Sequence, residues 1–259
     1  QTVTLADAKG RVEFRDVSFA YPDAEEKTLD DISFTAEPGK TTAIIGGTGC
    51  GKSTLISLIP RFYDVTEGSI TLDGIDVRDM KQHDLRENIG YVPQKGLLFS
   101  GTIGTNLQYG REDATLAEMT DAAETAQAME FISEKENGFD EEVSQGGTNV
   151  SGGQKQRLSI ARALVKKPKV YIFDDSFSAL DFRTDKALRE ALSEKVGDST
   201  IIIVAQRINT IIDADQIIVL EEGRIAGRGT HEELLANCSV YKEIALSQLS
   251  EKELERGRA

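Results

Sequence analysis

The chain has 259 residues, 39% hydrophobic and 29% charged, with a formal net charge of −14. That mix is ordinary for a globular protein: it can bury a sizeable core without disulfides or metals, in one large domain or two small ones. The acidic excess disfavours a nucleic-acid groove, which needs clustered Lys and Arg to displace counterions, so no nucleic-acid partner is expected.

Two cysteines, Cys50 and Cys238, are too few for a disulfide framework and suit a reducing compartment. The longest apolar run, Thr200 to Ala205, is strand-sized and too short for a membrane span. No charged-then-apolar leader is present, and the chain opens on Gln1, which reads as a piece of something longer.

In chain order, Val12, Phe14, Val17 and Phe19 alternate as in a half-buried strand. A polar, acidic turn leads to a second strand, DISFTAE, and PGK turns the chain again. TTAIIG is a short buried strand that ends in a glycine-rich loop. STLISLIPRFY then has apolar spacing of three to four, predicting a helix from near Lys52 to Tyr63. SITLDGIDV is a hairpin turning at Asp73-Gly74, and NIGYVPQ is another buried strand.

From Thr115 to Lys135 the pattern is helical, opened by a T-x-x-E capping box of Thr115 and Glu118. NGFDEEVSQGGTNVSGG reads as a loop. QKQRLSIARALVKK is a second helix, stopped by Pro168. KVYIFDD, STIIIVA and QIIVL are three buried strands, the last running through EEG into RIAGRG. THEELL repeats the capping box with Thr230 and Glu233, and the tail EKELERGRA is charged and expected to fray.

Strands that alternate with helices and are apolar on both faces predict an α/β protein with a parallel sheet covered by helices. Residues 96–168 lack a strong strand signal and read as a helical lobe inserted into the sheet. Residues 1–10 read as a linker, 11–249 as the domain and 250–259 as the tail.

GGTGCGKST holds the chemistry. Gly46 to Ser53 fit G-x-x-x-x-G-K-[ST], with a buried strand before and a helix after. Backbone N–H groups of Gly46, Gly47, Thr48, Gly49, Cys50 and Gly51 can wrap a phosphate chain, the Cys50 thiol being incidental. Lys52 reaches the β- and γ-phosphates, Ser53 offers its hydroxyl to Mg²⁺, and Thr54 completes the motif. Asp174, at the end of VYIFDD, supplies a carboxylate that can orient the same ion.

VSGGQKQRLSIARAL gives a second anion site of the same physical kind. Ser151, Gly152, Gly153 and Gln154 open a helix and so present N–H groups, a hydroxyl and a dipole end. One nucleotide does not need two such sites in one chain, so this one suits a nucleotide held by another subunit. The arrangement resembles the ATP-binding cassette (ABC) family, from about Arg11 to Leu249.

The resemblance implies a RecA-like P-loop NTPase core with an antiparallel β subdomain and an inserted α-helical subdomain, binding ATP and Mg²⁺. It also implies that Tyr21 stacks on adenine, that Gln94 touches Mg²⁺ and the attacking water, and that Ser178 to Asp181 cross a dimer interface. FSGTIGTNLQYG is similar to the exporter-type segment that meets coupling helices of transmembrane domains, implying work at the cytoplasmic face of a membrane.

Three positions depart from the family pattern. Asp175 stands where a catalytic glutamate is expected, Gln206 where a switch histidine is expected, and Gln145 where exporters usually have glutamate. Aspartate retracts the carboxylate by roughly 1.5 Å, an error that can cost about 10²-fold in rate. Gln206 can hydrogen-bond a γ-phosphate but cannot shuttle a proton as imidazole does.

The expectation is a slow, degenerate site on this phosphate loop. Its intact SGGQ would complete the site of a different partner cassette in a head-to-tail heterodimer. A homodimer with two slow sites is one alternative, and a nucleotide sensor without catalysis is another. A DNA-repair or chromosome ATPase is disfavoured, because Lys52 and Ser151 lie only 99 positions apart (151 − 52) with no heptads between them. His83 and His231 are expected to serve neither metal nor catalysis.

Overall fold

The computed structural model describes residues 7–144 and 147–249. Gln145 and the charged tail lie outside them.

The N-terminal third is β-rich: β1 (Val12–Phe19), β2 (Leu29–Ala36), β3 (Thr41–Gly46), α1 (Lys52–Ser57), β4 (Glu67–Leu72) and β5 (Ile75–Asp76). β1 pairs antiparallel with β2 and β4, giving a sheet of order β2-β1-β4-β5. The β4–β5 hairpin turns through Asp73 (φ 50°) and Gly74 (φ 82°), the two left-handed residues that a tight hairpin needs. The Asp73 carboxylate also accepts the N–H groups of Lys9, Gly10 and Arg11 at 2.8, 3.1 and 2.9 Å, pinning the entering chain.

The next stretch holds α2 (Gln82–Glu87), β6 (Ile89–Val92), β7 (Gly101–Thr102), α3 (Ile103–Gln108), α4 (Leu116–Thr125), α5 (Met129–Glu134), β8 (Glu142–Val143) and α6 (Gly152–Lys166). The last holds β9 (Val170–Asp174), α7 (Phe182–Lys195), β10 (Thr200–Val204), α8 (Ile208–Ile211), β11 (Gln216–Glu221), β12 (Arg224–Gly229), α9 (His231–Asn237) and α10 (Ser239–Gln248). Among the described residues no helix is long and apolar enough to cross a membrane.

The main sheet has order β12-β11-β3-β10-β9-β6, parallel except for the edge strand β12. Its strands alternate between two cores. Ile201, Ile203, Tyr171, Phe173, Ile217 and Val219 face the helices, whereas Ile202, Val204, Val170, Ile172, Ile218 and Leu220 face α1 and the antiparallel sheet. Burial on both faces explains why these strands are almost wholly apolar. Each such side chain contributes about 1.5–3 kcal/mol. Parallel strands place their carboxyl ends along one edge, where open α/β sheets bind ligands.

Several local expectations need correction. The helix expected to reach Tyr63 ends at Ser57. Pro60 lacks the N–H to continue it, and Arg61 is left-handed at φ 59°. The helical run 115–135 is two helices, broken at Gln127 (φ 59°). The 96–168 lobe contains a two-residue ladder, β7 with β8, and its apolar residues join the same core as the sheet. Helix α7 matches none of the elements read from the sequence. The Thr115–Glu118 capping box is fully formed. At α9, Thr230 accepts the Glu233 N–H, while the Glu233 carboxylate bonds the Thr230 hydroxyl.

Candidate nucleotide-binding site

The loop leaving β3 closes on itself. Cys50 N–H donates to Gly47 O at 3.2 Å, and Gly223 N–H donates to Cys50 O at 3.1 Å, tying the loop to the β11–β12 turn. Gly46 has no room for a side chain, since a Cβ would strike Leu220 O and the Cys50 sulfur. Gly51 sits at φ 103° beside Leu29, a conformation open to glycine alone. The Lys52 ammonium is buried and donates to Gly46 O at 2.5 Å and Gly47 O at 3.3 Å. Gly47, Thr48 and Gly49 are exposed, leaving the loop's outer backbone open.

Two strand ends bring carboxylates to this loop. Asp174, at the end of β9, accepts the Ser53 hydroxyl at 3.1 Å and the Tyr91 hydroxyl at 3.4 Å. Burial raises its pKa, against the opposing pull of Ser53, Tyr91 and Lys52. Asp175 is buried and left-handed at φ 49°. Its carboxyl is raised by burial and by the adjacent Asp174, with the Gln206 N–H opposing. Gln94, leaving β6, donates to Asp175 Oδ2 at 3.2 Å. Gln94, Asp174, Asp175, Gln206 and the phosphate loop therefore share one edge of the sheet.

These residues fit Mg²⁺ with a triphosphate. Ser53 and Asp174 are hard oxygen donors side by side, leaving the other positions of an octahedral ion to water and phosphate. Lys52 supplies a compact cation.

Tyr21 is half-buried with its hydroxyl 2.6 Å from that of Thr54, and its ring meets Phe19 and Tyr63 edge-on at 4.9 and 5.2 Å. Thr54 thus props Tyr21 from the helix that follows the loop. Tyr63 escaped the sequence reading, although its place in RFY beside the loop helix was visible.

Ser151 caps α6: its hydroxyl accepts the Gln154 N–H, and Gln154 Oε1 accepts the Ser151 N–H, both at 3.1 Å. The Gln154 side chain is therefore engaged within its own helix turn, a use that the S-x-x-Q spacing encodes. Ser151 and Gly152 are exposed, and Gly153 packs toward Ala179 O. Asp181 caps α7 through Thr184 N at 2.7 Å, and that bond lowers its pKa.

Sequence reasoning also missed the joint between these parts. Arg207 donates to Leu180 O, Phe177 O and Asp185 at 3.1, 2.5 and 2.9 Å, and its guanidinium lies over the Phe182 ring. Asp185 is 1% exposed and also accepts Arg189 and Thr210, each at 2.7 Å. Away from the site, buried His231 shares a 2.5 Å bond with the Tyr241 hydroxyl.

On the lobe, buried Asn106 pairs with both backbone groups of Phe99, at 2.8 and 2.9 Å. It holds out an apolar surface of Leu97, Phe99 and Tyr109, each at least 40% exposed.

The sequence profile described as ABC transporter matches residues 29–178. An uncharacterized ABC transporter ATP-binding protein of Mycobacterium tuberculosis is 51% identical, over 92% of this chain and 41% of its own length. An ATP-dependent lipid A-core flippase of Haemophilus influenzae is 44% identical, over 96% and 43% respectively. A solved bacterial Atm1-family ABC exporter with ATP bound superposes with a TM-score of 0.93 at 40% identity, over 97% of this chain and 44% of that one. The chain thus spans less than half the length of these relatives. By its motifs, fold and relatives, it belongs to the ABC transporter family as an ATP-binding domain of the exporter type.

Proposed function

We propose that the chain binds Mg-ATP on its own phosphate loop, closes head-to-tail on a partner cassette, and couples ATP hydrolysis to export through transmembrane domains at the cytoplasmic face of a membrane. The observation that carries this reading is the meeting of Lys52, Ser53, Asp174, Asp175 and Gln206 at one sheet edge, with Ser53 Oγ 3.1 Å from Asp174. The bound ATP supplies the phosphoryl group, and Mg²⁺ supplies charge neutralisation. Lys52 orients the β- and γ-phosphates, Ser53 and Asp174 hold the ion, and Tyr21 carries the base. The apolar surface of Leu97, Phe99 and Tyr109 suits a coupling helix from a membrane domain.

This site is the slow member of a pair. Asp175 is short for a general base, is buried beside a second carboxylate, and already accepts a bond from Gln94. Gln206 supplies a hydrogen bond where a proton acceptor would serve. The exposed α6 cap at Ser151 completes a site whose phosphate loop belongs to a different cassette.

Single-turnover hydrolysis of Mg-ATP tests the reading. The Asp175→Glu, Gln206→His double variant should hydrolyse about 10²-fold faster than the parent at this site. A parent chain that already matches the variant would refute the degenerate assignment. Brisk turnover by the parent alone would favour a self-sufficient homodimer.

A further inference from the structure

The switch position is held from an element that the reaction itself does not use. Ala205 N–H donates to Ile44 O at 3.2 Å, fixing the strand side of the loop to β3. Beyond it, Gln248 at the end of α10 grips the backbone on both sides of Arg207. Its Nε2 donates to Gln206 O at 2.7 Å, and its Oε1 accepts Ile208 N–H at 2.8 Å. One amide thus bridges residues two apart in the loop, as a paired strand would.

Gln206 itself is exposed, and among the described residues its side chain makes no hydrogen bond that would compete for it. A fixed backbone with an uncommitted side chain is the arrangement that aims a donor.

We propose that Gln248 is a positioning residue: through its two-point grip, helix α10 sets the direction in which Gln206 meets the γ-phosphate. Without the grip, the turn between β10 and α8 keeps its Ala205 and Arg207 anchors and the Gln206 N–H bond to the Asp175 carboxyl, but Gln206 O loses its partner to solvent. Neutral glutamine presents an uncharged amide NH₂ to the phosphate, so its placement matters more than that of a charged group. The inference rests on the assignment of Gln206 as the switch residue.

The test is the ratio of ADP to ATP dissociation constants, measured with Mg²⁺ on the 259-residue chain. ADP lacks the group that Gln206 would touch, so ADP affinity serves as the internal control. Gln248→Ala should weaken ATP roughly tenfold and leave ADP unchanged. Gln206→Ala should lose the same discrimination, and adding Gln248→Ala to it should change nothing more.

If Gln248→Ala fails to fold, Gln248→Glu decides. It keeps the helix end and the acceptor for Ile208 but loses the donor to Gln206, and it should show the same selective loss. Unchanged discrimination, equal loss for both nucleotides, or a full effect in the Gln206→Ala background overturns the proposal. A Gln206→Ala variant that discriminates normally sinks the switch assignment itself. Normal discrimination in the Gln248 variants beside a loss in Gln206→Ala sinks only the grip.

Discussion

The phosphate loop and the α6 cap are both places where glycines and a helix start present N–H groups to an anion, yet the chain treats them differently. Around the loop, the same polypeptide supplies a buried ammonium and a hydroxyl from α1, two carboxylates from the end of β9 and an amide from beyond β6. At the cap, Ser151 and Gln154 satisfy only each other, and the outer face is exposed. The first is a nearly whole cradle, whereas the second has no such groups gathered around it and is half of a site only in the proposed pairing. The contrast teaches that a helix start becomes a nucleotide site through what the sheet places opposite it.

Between them lies the Arg207–Asp185 joint, which ties the switch loop to the segment under the cap. Replacing Asp185 with Ala leaves two guanidinium groups and a hydroxyl facing a hole, so it should loosen both regions at once. The expected loss is about 3–5 kcal/mol in urea unfolding. The surface pair Arg224–Asp30, whose arginine side chain is 68% exposed, should lose at most about 1 kcal/mol on Arg224→Ala. Equal losses at the two positions would remove the joint from the account.

Lys52→Ala separates cradle from cap more sharply. Deleting the Lys52 ammonium that bonds into the loop should weaken ATP at least 100-fold, about 2.8 kcal/mol at 1.4 per decade, by titration calorimetry. Affinity within tenfold of the parent would mean that backbone N–H groups alone hold the triphosphate.

Much of the cradle is legible in the sequence because it is local. The Gly46 to Ser53 spacing, the apolar run into Asp174 and the Thr115–Glu118 box all encode short-range geometry. The joint is not local: Asp185 finds Arg207 and Thr210 from 22 and 25 positions away, across a helix and a strand. Helix α7 hides for a related reason, since its buried side is only Asp185, Leu188 and Leu192, too few apolar positions to stand out. Gln248 reads as a surface glutamine until α10 docks it on the switch loop. The ladder of β7 and β8 is too short to show any period.

Ser151→Ala probes the other half of the contrast. It removes one hydroxyl acceptor at an exposed helix start and should cost about 1 kcal/mol of stability. ATP binding by this chain alone should not change, because nothing in its own cradle touches Ser151. Turnover in the assembled pair should fall. A drop in the lone chain's ATP affinity would merge cap and cradle into one site and end the comparison.

Asp175→Asn should have the smallest effect, and its sign is the informative part. Both Asp174 and Asp175 have folded pKa values raised above the ordinary carboxylate, by burial first and, for Asp175, by its neighbour's charge next. A raised folded value means that the protonated form is favoured by folding. Its stabilising contribution is therefore full below the unfolded pKa and lost as pH rises through the folded one. At neutral pH the ionised pair works against the fold.

Asparagine keeps the shape and tolerates the left-handed φ of 49°. Without nucleotide, the variant should therefore melt about 1–3 °C higher at pH 7. The advantage should vanish as pH falls into the carboxylate range, where the parent protonates. A constant advantage across pH would assign it to packing. A lower melting temperature at pH 7 would show that the Asp175 carboxylate, through Gln94 and the Gln206 N–H, stabilises the site even without a cation.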